Sequence, residues 1–198
     1  MRASGQTQAT RAVPVRGRRP GVEGDNRCVS LAAVGGPAWH GGPVDAPPLD
    51  PDRWPAGVGV LGVDHVGVAV PDLATGLLFY TDVLGLVVRH REDNPEMGVT
   101  EAMLGPPGAA GGSEVQVLAP LGASPLQRFL ERSGPGLQHL AFRVTDLHAA
   151  CSRLRQQGLR LIYHAGRRGT RGSAINFVHP GDTGGVLVEL VEVAHPPA

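Results

Sequence analysis

Between Val63 and Val70 the chain reads VDHVGVAV, with branched apolar residues at alternate positions, the period of a strand. The next stretch, PDLATGLLFYTDVLG (71–85), changes period. Leu73, Leu77, Tyr80 and Leu84 recur at helical spacing, with Asp72 ahead of them as an N-cap and Gly85 behind them as a stop. Strand patterns return at LVVRH (86–90), GVTEAML (98–104) and EVQVLAP (114–120). SPLQRFLERSG (124–134) then predicts a short helix, with Ser124 as its cap and Pro125 in its first position.

From there the order repeats. LQHLAFRV (137–144) predicts a strand and TDLHAACSRLRQQG (145–158) a helix capped by Asp146, followed by strands at LRLIYH (159–164), SAINFVHP (173–180) and GVLVELVEV (185–193). His65 and His139, Asp72 and Asp146, and Leu73 and Leu147 are each 74 residues apart, whereas Gly85 and Gly158, and Gln116 and Glu189, are 73 apart. One residue is therefore lost near the end of the second helix, and the register otherwise holds. The chain is a tandem duplication of a βαβββ unit, an α+β arrangement. The predicted layout is a folded domain over 61–194, made of module 1 (61–120), the connecting helix (124–134) and module 2 (136–194).

Residues 1–60 have a different texture, with 10 Gly and 8 Pro and no sustained period, and predict a disordered extension or an over-extended start. Five arginines precede the first acidic residue, Glu23, but prolines interrupt any targeting helix. The GVGVLG stretch (57–62) matches a dinucleotide-binding spacing, yet it precedes a strand instead of following one and reads as linker.

Composition narrows the function mainly by exclusion. The 18 basic residues, all arginine, balance 18 acidic ones, which argues against a nucleic-acid binder. No apolar run is long enough to span a membrane, and no secretory signal opens the chain. Cys28 and Cys151 lie in unrelated settings and suggest no disulfide. A reducing, cytoplasmic setting is the expectation.

Chemistry enters through the repeat. His65 shares a strand face with Gly67 and Ala69, and His139 shares one with Ala141, while bulky residues take the opposite faces. Small residues beside each histidine predict a cavity on that side. Glu189 stands in an otherwise apolar strand, where an unpaired charge would be costly, and its counterpart in the first repeat is Gln116. Two imidazoles, a carboxylate and an amide oxygen form a mixed set suited to Co, Ni, Fe, Mn or Zn in an open site. Taken alone, Gln116 reads as a half-exposed strand position. His90 reads as a solvated loop residue sooner than one approaching the cavity, His179 as a turn residue and His148 as exposed. Arg167, Arg168 and Arg171 lie in a glycine-rich loop, GRRGTRG (166–172), that could meet phosphates or simply be solvated.

The segments HREDNPEMGVTEAML, VQVLAPLG, GLQHLAFRV and INFVHPGDTGGVLVEL resemble the vicinal-oxygen-chelate (glyoxalase) superfamily and, within it, the methylmalonyl-CoA epimerase family, over roughly 62–194. The resemblance implies a cupped mixed sheet around a divalent metal, Co2+ first among the candidates, in a homodimer acting on a CoA thioester of propionate metabolism. Carried over by position, the metal ligands fall on His65, Gln116, His139 and Glu189, and the acid/base pair on Glu101 and Glu189. Epimerisation next to a thioester needs a proton removed from one face and returned to the other, so two groups must flank the carbon. Glu101, between Val99 and Met103 on a strand face, would have its pKa raised by that setting. The rivals are a glyoxalase I-like lyase, an extradiol dioxygenase using iron, and a metal-free small-molecule-binding protein of the same fold.

Overall fold

The computed structural model describes residues 57–108 and 112–193. The sequence-predicted extension at 1–60 lies almost wholly outside the described residues. The elements are β1 (Val60–Ala69), α1 (Leu73–Leu78), β2 (Val87–Asn94), β3 (Val99–Gly105) and β4 (Glu114–Pro120), then α2 (Pro125–Ser133). They are followed by β5 (Gly136–Val144), α3 (Leu147–Gln156), β6 (Arg167–Arg168), β7 (Ala174–Val178) and β8 (Val188–Glu192).

All eight strands join one curled, mixed sheet in the order β2-β3-β4-β1-β5-β8-β7-β6. The order is symmetric about the antiparallel β1/β5 pair. On one side β1 runs parallel to β4, and on the other β5 runs parallel to β8. Each βαβββ unit supplies four neighbouring strands, as the 74-residue spacing implies.

Helices α1 and α3 cover the convex face, whereas Leu126 of α2 packs with Ala69, Val99 and Leu118 beside the concave face. Leu73 packs with Ala102, Leu104, Val117 and Ala119, flanked by Leu77 and Tyr80. In the second unit, Leu147, Ala150, Cys151 and Leu154 of α3 pack with Val178 and Leu190. Both helices begin at the predicted aspartates: Asp72 accepts from the Thr75 N–H and Asp146 from the Ala149 N–H, each at 2.8 Å. Ser124 caps α2 through the Gln127 N–H.

The two units differ where the register slips by one. In the first, α1 passes into a π-helical turn, Phe79–Val83, closed by Leu84 N–H to Phe79 O at 3.1 Å. A π turn takes in one more residue than an α turn, and so accommodates the extra residue of the first repeat. It also rotates the residues at its C-terminal end. Leu84, expected on the apolar stripe, is exposed instead, while Leu73, Leu77 and Tyr80 keep their places.

Other expectations change as well. The linker reading of 57–62 gives way to a strand start at Val60, because β1 is drawn out by pairing Val60 with Val144. His90 lies on β2, not in a loop. The last strand begins at Val188, later than the pattern suggested. The largest correction concerns 159–164, which forms no regular strand. Its contacts with β7 are a lone bridge, Leu161 to Val178, and scattered bonds such as Ile162 N–H to Phe177 O at 2.8 Å.

At Tyr163 a side chain replaces the ladder. Fully buried Asn176 accepts from the Tyr163 N–H at 3.2 Å and donates to the Tyr163 carbonyl at 3.0 Å, while also accepting from the Phe177 N–H at 2.8 Å. Removing this amide would leave those backbone groups without their partner. Asn176→Ala is expected to destabilise the fold by about 2–3 kcal/mol, read as a lower urea midpoint at unchanged m-value.

Candidate active site

Strand register brings the predicted residues together on the concave face. Gly67 of β1 is flanked by Gln116 on β4 and His139 on β5. Ala141 of β5 is flanked by His65 on β1 and Glu189 on β8. Each row is a polar side chain, a small residue and a polar side chain, and Gly67 and Ala141 are themselves 74 residues apart. The small residues leave room above them for the long ones. A Cβ built on Gly67 would collide with the His139 ring at its Cε1.

His65, Gln116, His139 and Glu189 are all buried. Glu189 Oε2 lies 3.2 Å from His65 Nε2 and 3.0 Å from His139 Nε2, and the two Nε2 atoms are 3.0 Å apart. The rings meet nearly edge-on, at 86°. Each Nδ1 is held from behind by an oxygen acceptor. His65 Nδ1 is 2.8 Å from Asp64 Oδ1, and His139 Nδ1 bonds the amide oxygen of Gln138. Asp64 is fixed in turn by Arg143, whose Nε donates to Oδ2 at 2.9 Å and whose Nη2 forms an ion pair with it at 2.7 Å. An Nδ1–H donated outward leaves the Nε2 lone pairs aimed into the cluster, the arrangement of metal-binding histidines.

Gln116 completes the set. Its Nε2 donates to Glu101 Oε2 at 2.8 Å and to Thr170 Oγ1 at 3.0 Å. Its Oε1 is buried and has no hydrogen-bond partner among the described residues. An acceptor left so costs roughly 1–3 kcal/mol, a penalty that a cation would relieve. The ligand atoms of His65, His139 and Glu189 lie within 4.8 Å of one another and suit a divalent metal, and the unpartnered Gln116 oxygen is a candidate fourth donor.

The electrostatics agree. Burial pushes the Glu189 carboxyl up, but the charges and hydrogen bonds of His139 and His65 outweigh it and hold the group down at about 2. Burial also works against the His65 imidazolium, yet its bonds to Asp64 and Glu189 raise it to about 9. Both shifts describe a pocket that attracts positive charge, for which protons and a metal ion compete.

Glu101 behaves differently. Burial raises its carboxyl to about 7, against the Thr170 hydrogen bond that pulls it down, with the Glu92 and Glu189 charges adding to the rise. A carboxyl titrating near neutrality can both accept and release a proton. Thr170 Oγ1 donates to its Oε1 at 2.6 Å. A cavity of about 250 Å³ opens over these groups, with Glu101, Gln116, His139, Glu189 and Thr170 among its polar lining and Met97, Leu118, Leu126, Tyr163 and Phe177 among its apolar walls.

The remaining sequence candidates lie outside the cluster. His90 bonds Glu92 at 2.7 Å, His179 accepts from the Gly181 N–H in a turn, and His148 is exposed on α3. Arg167 pairs with Glu96, Arg168 with Glu92 and Arg171 with Glu114. Three participants escaped the sequence reading. Asp64 and Gln138 had a readable signal, an oxygen-bearing residue just before each repeated histidine. Thr170 had none, since only the folded loop brings it to Glu101.

Residues 64–177 match the family model of the Glyoxalase/Bleomycin resistance protein/Dioxygenase superfamily, and the chain belongs to that superfamily. It is similar to a methylmalonyl-CoA epimerase from Mycobacterium tuberculosis of known crystal structure, with 49% identity and a TM-score of 0.65 over 73% of this chain and 96% of that one. A Streptomyces coelicolor methylmalonyl-CoA epimerase variant in complex with 2-nitronate-propionyl-CoA is 38% identical, with a TM-score of 0.66 over 69% of this chain and 100% of that one. The ethylmalonyl-CoA/methylmalonyl-CoA epimerase of Cereibacter sphaeroides is 36% identical over 134 residues, 66% of this chain and 97% of the relative.

Gly67 tests the spacing of the cluster directly. Gly67→Ala is expected to lower divalent-metal affinity at least about tenfold by displacing the His139 ring, while overpacking costs roughly 1–3 kcal/mol. Titration calorimetry with Co2+ and thermal unfolding measure the two effects separately.

Proposed function

We propose that the protein interconverts the C2 epimers of methylmalonyl-CoA by 1,1-proton transfer, with His65, Gln116, His139 and Glu189 holding a divalent metal. Glu101 and Glu189 are the two carboxylates that handle the proton. The observation that carries this reading is Glu101: a buried carboxyl raised to about 7, hydrogen-bonded to the Gln116 amide and bordering the same cavity as Glu189. Similarity to three epimerases, one of them complexed with a propionyl-CoA analogue, supports the substrate class.

The protein's own groups divide the work. Gln116 Nε2 and Thr170 Oγ1 hold one Glu101 oxygen each, which orients the carboxylate before it takes the C2 proton. Burial beside the apolar wall of Met97, Leu118 and Phe177 makes the Glu101 carboxylate more basic than in water. Both imidazoles engage Glu189 through Oε2, and we assign the proton on the opposite substrate face to its other oxygen. A bound divalent metal would polarise the thioester carbonyl and stabilise the negative charge that develops as the proton leaves. The mixed nitrogen and oxygen donors suit Co2+, Mn2+, Ni2+, Fe2+ and Zn2+ alike, and the family resemblance puts Co2+ first. The resemblance further supports a homodimer acting in propionate metabolism on a CoA thioester, and the cysteine usage supports a reducing, cytoplasmic setting. No helix among the described residues is long and apolar enough to cross a membrane.

Incubated with methylmalonyl-CoA and Co2+ in D2O, the protein is expected to place deuterium at C2, read by mass spectrometry. Absence of exchange with metal supplied would overturn the epimerase reading. Glu101→Gln is expected to lower turnover at least about a hundredfold while metal stoichiometry is retained. Loss of metal in that variant would instead make Glu101 part of the metal site.

A further inference from the structure

The loop joining β6 to β7 belongs to the second repeat, yet it is fastened to the first. Thr170 Oγ1 donates to Glu101 Oε1 on β3 at 2.6 Å. The next backbone N–H, that of Arg171, donates to Glu92 Oε2 on β2 at 3.2 Å. The Arg171 guanidinium grips Glu114 on β4 with two prongs, Nη1 to Oε2 at 2.6 Å and Nη2 to Oε1 at 3.2 Å. Two consecutive residues thus reach carboxylates on three strands of the other repeat.

Arg171 does this from an unfavourable backbone. With φ 57° and ψ 23° it is the one non-glycine residue at positive φ among the described residues. Side chains other than glycine disfavour that region, so its contacts must hold it there. Exposed ion pairs contribute little as a rule. This pair differs in being two-pronged, in a carboxylate only 11% exposed, and in lying one residue from the hydroxyl on Glu101. Arg89 of β2 also approaches Glu114, at 3.6 Å, so the carboxylate that Arg171 grips is itself held on the first repeat.

We propose that Arg171 is a positioning residue: its grip on Glu114 holds the loop in the left-handed turn that sets the Thr170 hydroxyl on Glu101. The second repeat thereby orients a carboxylate of the first. This rests on the reading of Glu101 as a proton-handling group.

Arg171→Gly is the informative variant, because glycine accepts the left-handed turn and only the guanidinium is lost. The expected result is a fall in kcat of about tenfold, with KM changed less than about twofold and the thermal midpoint retained. Thr170→Val should produce a comparable fall, and adding Arg171→Gly to it should cost less than about twofold more, since both act through one hydrogen bond. Arg171→Lys, which keeps the charge without the fork, should recover only part of the loss. Additive losses, a wild-type kcat in Arg171→Gly, or a rise in KM alone would each overturn the proposal.

A crystal structure of Arg171→Gly decides the matter independently of turnover. The Thr170 hydroxyl is expected to leave Glu101, and its persistence there would overturn the proposal. Should the wild-type protein fail to exchange deuterium, the epimerase reading falls while this structural comparison still judges the clasp.

Discussion

A carboxyl sealed inside a protein stays charged only where positive charge matches it, and Glu189 is sealed within the sheet. Its Oε2 is within 3.2 Å of two imidazole nitrogens, and each imidazole is backed by an oxygen acceptor of its own. The Arg143–Asp64 pair extends that order outward to the surface. Desolvation alone would drive the Glu189 carboxyl up, so its depressed value measures how strongly the imidazoles compensate. The small residues Gly67 and Ala141 follow from the same demand, because larger ones would keep the ligating side chains apart.

The duplication supplies this geometry with little sequence. One pair of rows, each a polar residue beside a small one beside a polar one, is generated twice by the same register. The two rows then diverge in charge, Gln116 in one and Glu189 in the other. Two glutamates would double the buried negative charge, and two glutamines would remove the anion that balances a divalent cation. The asymmetry also separates tasks, since the Gln116 amide is free to donate to Glu101 from the side away from its unpartnered oxygen.

A second asymmetry lies at the sheet edge. In the first repeat β2 is a full strand paired along β3, whereas the matching part of the second repeat is reduced to one bridge and the two residues of β6. Asn176 and Arg155 satisfy the backbone at Tyr163 and His164 that a ladder would otherwise pair. The chain between β6 and β7 then crosses to the other repeat and delivers Thr170 to Glu101.

The repeat, the helix caps at Asp72, Ser124 and Asp146, and the meeting of His65, Gln116, His139 and Glu189 were all legible in the order of residues. Period and spacing are local properties, and a duplicated unit turns them into a prediction about which residues face one another. The irregular 159–164 segment and the π turn were not legible, because apolar alternation looks the same whether a neighbouring ladder or a side-chain amide satisfies the backbone. The Thr170 contact with Glu101 was hidden for a related reason, since it spans 69 residues of chain and no periodicity encodes it. By itself, the sequence determined which four side chains the strands carry to one face of the sheet. Only the tertiary structure decided how those donors are oriented, because hydrogen bonds between distant segments depend on how loops cross the sheet.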